Sequence, residues 1–171
     1  MAPEFYDLNP VIYITADAIG PPGQRIFYLQ ASQGDTLVTL VLEKEQVQAL
    51  AISVEQMLEE LEKRHPQSAG QIELINQYNL VLREPIEPVF RVGQLGLGYD
   101  EDTDMLIVVA QELADESDEM SVARFWATRA QMKALSEHSL HVVEAGRPKC
   151  PLCGRSIDPD GHFCPRRNGH Q

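Results

Sequence analysis

Apolar residues between positions 45 and 65 recur at intervals of three and four, at Val47, Leu50, Ala51, Val54, Met57, Leu58 and Leu61. That spacing lines one face of an amphipathic helix. Pro66 ends it, because the residue before a proline is pushed out of the α region. Upstream, the pattern is that of short strands. VIYITA (11–16), RIFYLQA (25–31) and TLVTLVLE (36–43) are rich in β-branched and aromatic residues, and the turn-forming stretches GPPGQ and SQGD separate them. Connections this short predict an antiparallel meander, since parallel neighbours need a crossover of about a dozen residues or more.

The same order returns after a connector at 66–86, in which IELINQYN reads as a short helix. PVFRVGQLGLGY (88–99), MLIVVAQEL (105–113) and SVARFWAT (121–128) read as strands, separated by the polar turn DEDTD and the acidic loop ADESDEM. RAQMKALSEHSLHVVEAG follows as a helix, with Met132, Leu135, Ser139 and Val143 on one face and Gly146 and Pro148 as its stop. An offset of 85 residues sets TLVTLVLEKEQVQALA against SVARFWATRAQMKALS and matches Gln46, Ala49 and Leu50 with Gln131, Ala134 and Leu135. The expectation is an α+β body over residues 1–146, built from a duplicated β-β-β-α unit with halves near 10–65 and 87–146. Its strands form one or two antiparallel sheets with both helices on one face. Neighbours such as Ile12 and Tyr13, or Phe125 and Trp126, make several strands apolar on both sides. The outer face of the sheet therefore needs cover from the connector, the C-terminal tail or a second subunit, and a homodimer is one way to provide it.

Composition changes this picture little, but charge adds to it. The net charge of −12 disfavours non-specific binding of nucleic acid or acidic membranes by the whole surface. Residues 147–171 carry +3, which leaves −15 for the first 146 residues, so a basic tail follows an acidic body. No apolar run approaches the roughly 20 residues of a membrane-spanning helix. The opening MAPEFYDLNP lacks the basic and apolar regions of a secretory signal, and the expected location is the cytoplasm.

All three cysteines lie beyond position 149, in CPLCGRSIDPDGHFCPRRNGH. Cys150 and Cys153 form a C-x2-C pair, and His162 and Cys164 follow eight residues later, after the turn sequence DPDG. Two pairs of soft or borderline donors joined by a turn are what tetrahedral zinc requires, and four protein ligands leave no open position for water. The expectation is one structural Zn2+ per chain, held by Cys150, Cys153, His162 and Cys164 in a tail spanning 147–171. His170 is the rival fourth ligand. A redox-active CPLC pair is the alternative chemistry, although that motif belongs at a helix start in a βαβ setting. Arg166 and Arg167 beside the cluster offer forked donors for a phosphate, a nucleic acid or an acidic protein surface.

This tail and the two β-β-β-α passes before it resemble an uncharacterised family of conserved proteins typical of actinobacteria, labelled domain of unknown function 3090. The resemblance covers essentially the whole chain and is most specific at Cys150, Cys153, His162, Cys164, Pro165, Arg166 and Asn168, which match the family's CPxCG block, its DP-x-GH-x-CPR block and an NG close to the end. His170 lies beyond the shared block. The resemblance implies no activity.

Other constellations carry less. Asp100, Asp102 and Asp104 alternate as at the start of an EF-hand loop, but Met105 and Gln111 stand where glycine and glutamate are required. Asp115, Glu116, Asp118 and Glu119 read as a solvated loop or a dock for the basic tail, and His138 and His141 as surface residues. Glycines 93, 96 and 98 do not spell a dinucleotide fingerprint, and no Walker loop or GxSxG is present. The functional expectation is a non-catalytic, zinc-binding adaptor with a protein partner. The alternative is an enzyme or phosphate-ligand binder whose site lies between the two halves near the basic tail.

Overall fold

The computed structural model describes residues 3–21, 23–66, 80–114 and 119–145. Its strands are β1 (Phe5–Leu8), β2 (Tyr13–Ile19), β3 (Ile26–Gln33), β4 (Thr36–Leu42), β5 (Pro88–Asp100), β6 (Met105–Glu112) and β7 (Val122–Thr128). Helix α1 (Lys44–Arg64) follows β4, and α2 (Arg129–Ala145) follows β7. The order strand, strand, strand, helix thus occurs twice, as the hydrophobic pattern predicts. The tight turn between β3 and β4 rests on Gly34, whose φ of 58° suits glycine because it has no Cβ. The short helix read at IELINQYN and the tail from 147 onward lie outside the described residues.

All seven strands join one sheet in the order β1-β7-β6-β5-β4-β3-β2. Two of its pairings, β1 with β7 and β4 with β5, are parallel, which corrects the expectation of purely antiparallel sheets. The reason lies in the long connection from β4 through α1 to β5, which is ample for a parallel crossover. The strand β1, absent from the sequence reading, brings the count to seven. It is only four residues long and pairs with a strand more than a hundred positions away.

Both parallel pairings follow one plan. The start of β5 runs parallel to β4 through Phe90↔Leu40 and Arg91↔Val41, and the rest of β5 turns to pair antiparallel with β6. Likewise β1 runs parallel to β7, and after a bend at residues 9–12 the chain pairs antiparallel with β3 as β2. In that bend Val11 N–H donates to the Trp126 carbonyl at 2.8 Å and Ile12 N–H to the Ser32 carbonyl at 2.8 Å. The two outermost strands of the sheet are thereby tied together through one short segment. The matching bend in β5 falls at Gly93, where a Cβ would sit 3.0 Å from Leu113 Cα and only glycine fits comfortably. Each half lends its leading segment to the last strand of the other half.

One face of the sheet and both helices form a single hydrophobic cluster. It includes Ile14, Leu29 and Leu40 from the first half, Leu106, Val108 and Phe125 from the second, and Val47, Val54, Met132 and Leu135 from the helices. Each such side chain removed from water contributes about 1.5–3 kcal/mol. The helices pack on each other, while α2 also lies against β2 and α1 touches β5, so each helix serves the opposite half. Gln46 and Gln131 fasten this exchange. Gln46 Oε1 accepts Glu43 N–H at 2.8 Å and its amide donates to the Val92 carbonyl at 3.1 Å. Gln131 Oε1 accepts Thr128 N–H at 2.9 Å and its amide donates to the Val11 carbonyl at 3.2 Å. Gln46 and Gln131 thus make the same pair of bonds, each to its own helix start and to the bent segment of the opposite half.

Candidate functional site

The two halves part company on the outer side of the sheet. In the first half, Tyr13, Thr15, Gln30, Ser32 and Thr39 point outward and are nonetheless buried. Residues 80–83 of the connector run across them. Thr15 Oγ1 donates to the Leu80 carbonyl at 2.7 Å, and the Tyr13 hydroxyl donates to the Val81 carbonyl. Gln30 accepts Arg83 N–H at 2.7 Å and donates to the Arg83 carbonyl at 2.9 Å and to Thr39 Oγ1 at 3.0 Å. The Arg83 guanidinium stacks 3.9 Å above the Tyr13 ring, a cation–π contact. Burial pushes the Tyr13 hydroxyl up to about 12, against the opposing pull of Arg83. The connector is thus a cover for this face, one of the three anticipated from the pattern.

In the second half the corresponding face is open among the described residues. Its register places Phe5, Val122, Arg124, Trp126, Ile107, Val109, Gly96 and Gly98 on one side. A Cβ added at Gly96 or Gly98 meets no heavy atom within 4 Å. The Arg124 guanidinium lies 4.9 Å from the Phe5 ring and 5.9 Å from the Trp126 ring, and pairs with Asp7 at 3.4 Å. Asp7 also accepts the Trp126 indole N–H at 2.8 Å. Arg124 Nε is buried and has no hydrogen-bond partner among the described residues.

A second concave feature lies between the halves. A cleft of about 550 Å³ is bounded by Ser53, Gln56, Met57, Glu60, Arg64 and His65 of the first half and by Leu97 and Tyr99 of the second. At its end stands a buried polar network. Arg129, 8% exposed, is paired with Asp104 at 2.8 Å, and Asp104 also accepts the Tyr99 hydroxyl at 2.7 Å. The Arg129 guanidinium further donates to the His65 carbonyl. Asp104 holds a left-handed φ of 55°, which Asp tolerates better than most residues. Burial alone disfavours the Arg129 charge, but its hydrogen bonds to Asp104 and Tyr99 outweigh this and hold the pKa above its usual value. Burial likewise raises the Tyr99 hydroxyl, helped by its bond to Asp104.

The predicted site residues Cys150, Cys153, His162 and Cys164, with Arg166, Arg167 and His170, lie outside the described residues. Among the described residues no group of three or more His, Cys, Asp and Glu could hold a metal ion. The DEDTD run forms the β5–β6 turn, with Thr103 donating to Asp100 at 2.5 Å and Asp104 committed to Arg129. His138 stands 3.0 Å from Asp17 and is not joined by His141, which is exposed. Sequence reasoning missed the Arg129–Asp104–Tyr99 network. Arg129 opens α2, and only the fold brings the β5–β6 hairpin beneath it. No helix among the described residues is long and apolar enough to cross a membrane.

Comparison with known proteins bears on the chain as a whole. No curated protein and no solved structure matches it. A family model does match, over residues 6–164, a span that takes in both halves, the connector and all three cysteines. The chain therefore belongs to the family described as Protein of unknown function (DUF3090).

Proposed function

We propose that the protein is a non-catalytic cytoplasmic adaptor whose segment 147–171 is organised by one structural zinc ion. Cys150, Cys153, His162 and Cys164 supply three thiolates and an imidazole, a donor set that suits a closed tetrahedral zinc shell. The family match runs through Cys164 and stops short of His170, which favours His162 as the fourth ligand. A short segment of this kind has no core of its own, so metal binding supplies much of its folding free energy.

The observation that carries the non-catalytic reading is the mutual satisfaction of polar groups in the body. Arg129 is spent on Asp104, Gln30 on Arg83, and His138 on Asp17. None of these arrangements leaves a nucleophile beside an unengaged base. Elemental analysis of the purified protein is expected to give about one zinc per chain, and Cys153→Ser to lower it sharply. Zinc content unchanged by that substitution refutes the site. Deletion of 147–171 is expected to abolish co-purification of specific protein partners, and retention of them all refutes the adaptor role.

The cleft between α1 and β5 supports a second reading, in which a phosphate-bearing ligand binds between the halves beside Arg64 and His65. Concave sites with a few convergent polar groups are the usual places for small ligands. Inorganic pyrophosphate and nucleotides are then expected to raise the melting temperature of the native chain but not of Arg64→Ala. No shift with the native chain rules this reading out.

A further inference from the structure

The outer face of the second half is the counterpart of the face that residues 80–83 cover in the first. Thr39 beneath the connector corresponds to Arg124 at the 85-residue interval, and Val41 to Trp126. Each helix is followed by chain that leaves the body beside the other half's hairpin. His65, just past α1, touches Tyr99 with rings 5.8 Å apart, and Val142 near the end of α2 accepts a hydrogen bond from Arg25 at 2.8 Å. After α1 the chain returns across the first half's outer face at Leu80. After α2 it continues to Gln171, long enough to make the same return, since an extended residue spans about 3.3 Å.

We propose that segment 147–171 of this chain lies across the outer face of the second half, over Gly96, Gly98, Val109 and Trp126, as the connector lies across the first. By the 85-residue interval, Pro165–Asn168 would take the place that residues 80–83 take. Three properties fit this occupant. The face is floored by glycines that leave room for a crossing chain, and Ile107, Val109 and Trp126 are there for Leu152, Ile157 and Phe163 to cover. Arg124 Nε is buried on this face without an acceptor among the described residues, and a crossing backbone carries carbonyls. The segment's charge of +3 suits a face bounded at one end by Asp100–Asp104 and at the other by Glu112 and Glu119. The cover does not depend on which ion the cysteines hold. A partner of the adaptor then meets the outward side of this segment, not the sheet.

Photo-crosslinking of the full chain tests this directly. Benzoylphenylalanine is placed in turn at positions 107 and 109, and cross-linked peptides are identified by mass spectrometry. The expected product joins either position to residues 147–171 of the same chain. Cross-links between two chains assign the face to a second copy, and cross-links confined to the body leave it uncovered; either result overturns the proposal. Gly96→Lys, which meets open space, is expected to lower the cross-link yield several-fold and raise acrylamide quenching of Trp126, the single tryptophan, about threefold. Quenching that is unchanged by Gly96→Lys also overturns it.

Discussion

Ser136 donates its hydroxyl to the carbonyl of Ala51 at 2.8 Å, and the two residues stand 85 positions apart. This is the interval that aligns α1 with α2, so the helices cross where each presents the same position to the other. A small residue on both sides sets how closely they approach. Ser136→Ala removes one buried hydrogen bond and is expected to cost about 1 kcal/mol, because Ala51 keeps its helical partner. Ser136→Leu must force the crossing apart and is expected to cost about 1–3 kcal/mol or more. Thermal denaturation reads both, at about 2–4 °C per kcal/mol for a chain of this size. A Leu variant as stable as the Ala variant would place the crossing elsewhere.

The Arg129–Asp104 pair predicts an asymmetric response. Asp104→Asn keeps a residue that tolerates the left-handed backbone but leaves the Arg129 guanidinium buried without a counter-charge. Breaking a buried pair from one side costs about 3–5 kcal/mol, and partial exposure of Asp104 reduces this to roughly 2–3 kcal/mol. Replacing both partners with apolar residues, as Asp104→Leu with Arg129→Met, is expected to be less damaging at the pair itself. A left-handed backbone resists Leu, so the fairer double variant is Asp104→Asn with Arg129→Met. Urea denaturation of the single and double variants completes the cycle.

Gln30 is fully buried and holds both the N–H and the carbonyl of Arg83. Gln30→Leu keeps the volume and strands those two backbone groups, at a cost of about 1–3 kcal/mol for each one left unsatisfied. The connector is then expected to lift from the sheet. Trypsin cleavage after Arg83 should accelerate at least tenfold under native conditions, while cleavage after Arg64, at the exposed end of α1, stays unchanged.

Alkaline pH should loosen the same region. The Tyr13 hydroxyl is raised from its ordinary value of 10.0 to about 12 by burial. A group whose folded pKa lies above its unfolded one stabilises the fold fully below pH 10. As pH rises from 10 to 12 the unfolded chain releases the proton first, and the contribution is lost. The expected slope is at most about 1.4 kcal/mol per pH unit from this residue. Tyr13→Phe is less stable at pH 8 but should show a shallower decline between pH 10 and 12. Equal slopes in the two proteins would show that Tyr13 ionises normally in the fold.

Much of the architecture was legible without coordinates. The three-and-four spacing from Val47 to Leu61 marks α1, and turn sequences such as SQGD separate strands whose limits lie close to those observed. The match of Gln46 with Gln131 pointed to the repeating order, and those two residues prove to make the same bonds. These signals are local, because helix faces and tight turns depend on residues a few positions apart.

Tertiary structure alone decided the rest. Nothing in FYDL announces a parallel partner in β7, and nothing in β5 announces that its first residues serve β4 and its remainder β6. Arg129 stands 25 residues from Asp104 and reaches the Tyr99–Asp104 pair only because α2 begins above the β5–β6 hairpin. The same is true of the unequal outer faces, one sealed by Arg83 and one open around Gly96 among the described residues. Strand pairing and charge burial depend on which distant segments share a surface, and a one-dimensional pattern of apolar and polar residues carries spacing but not proximity.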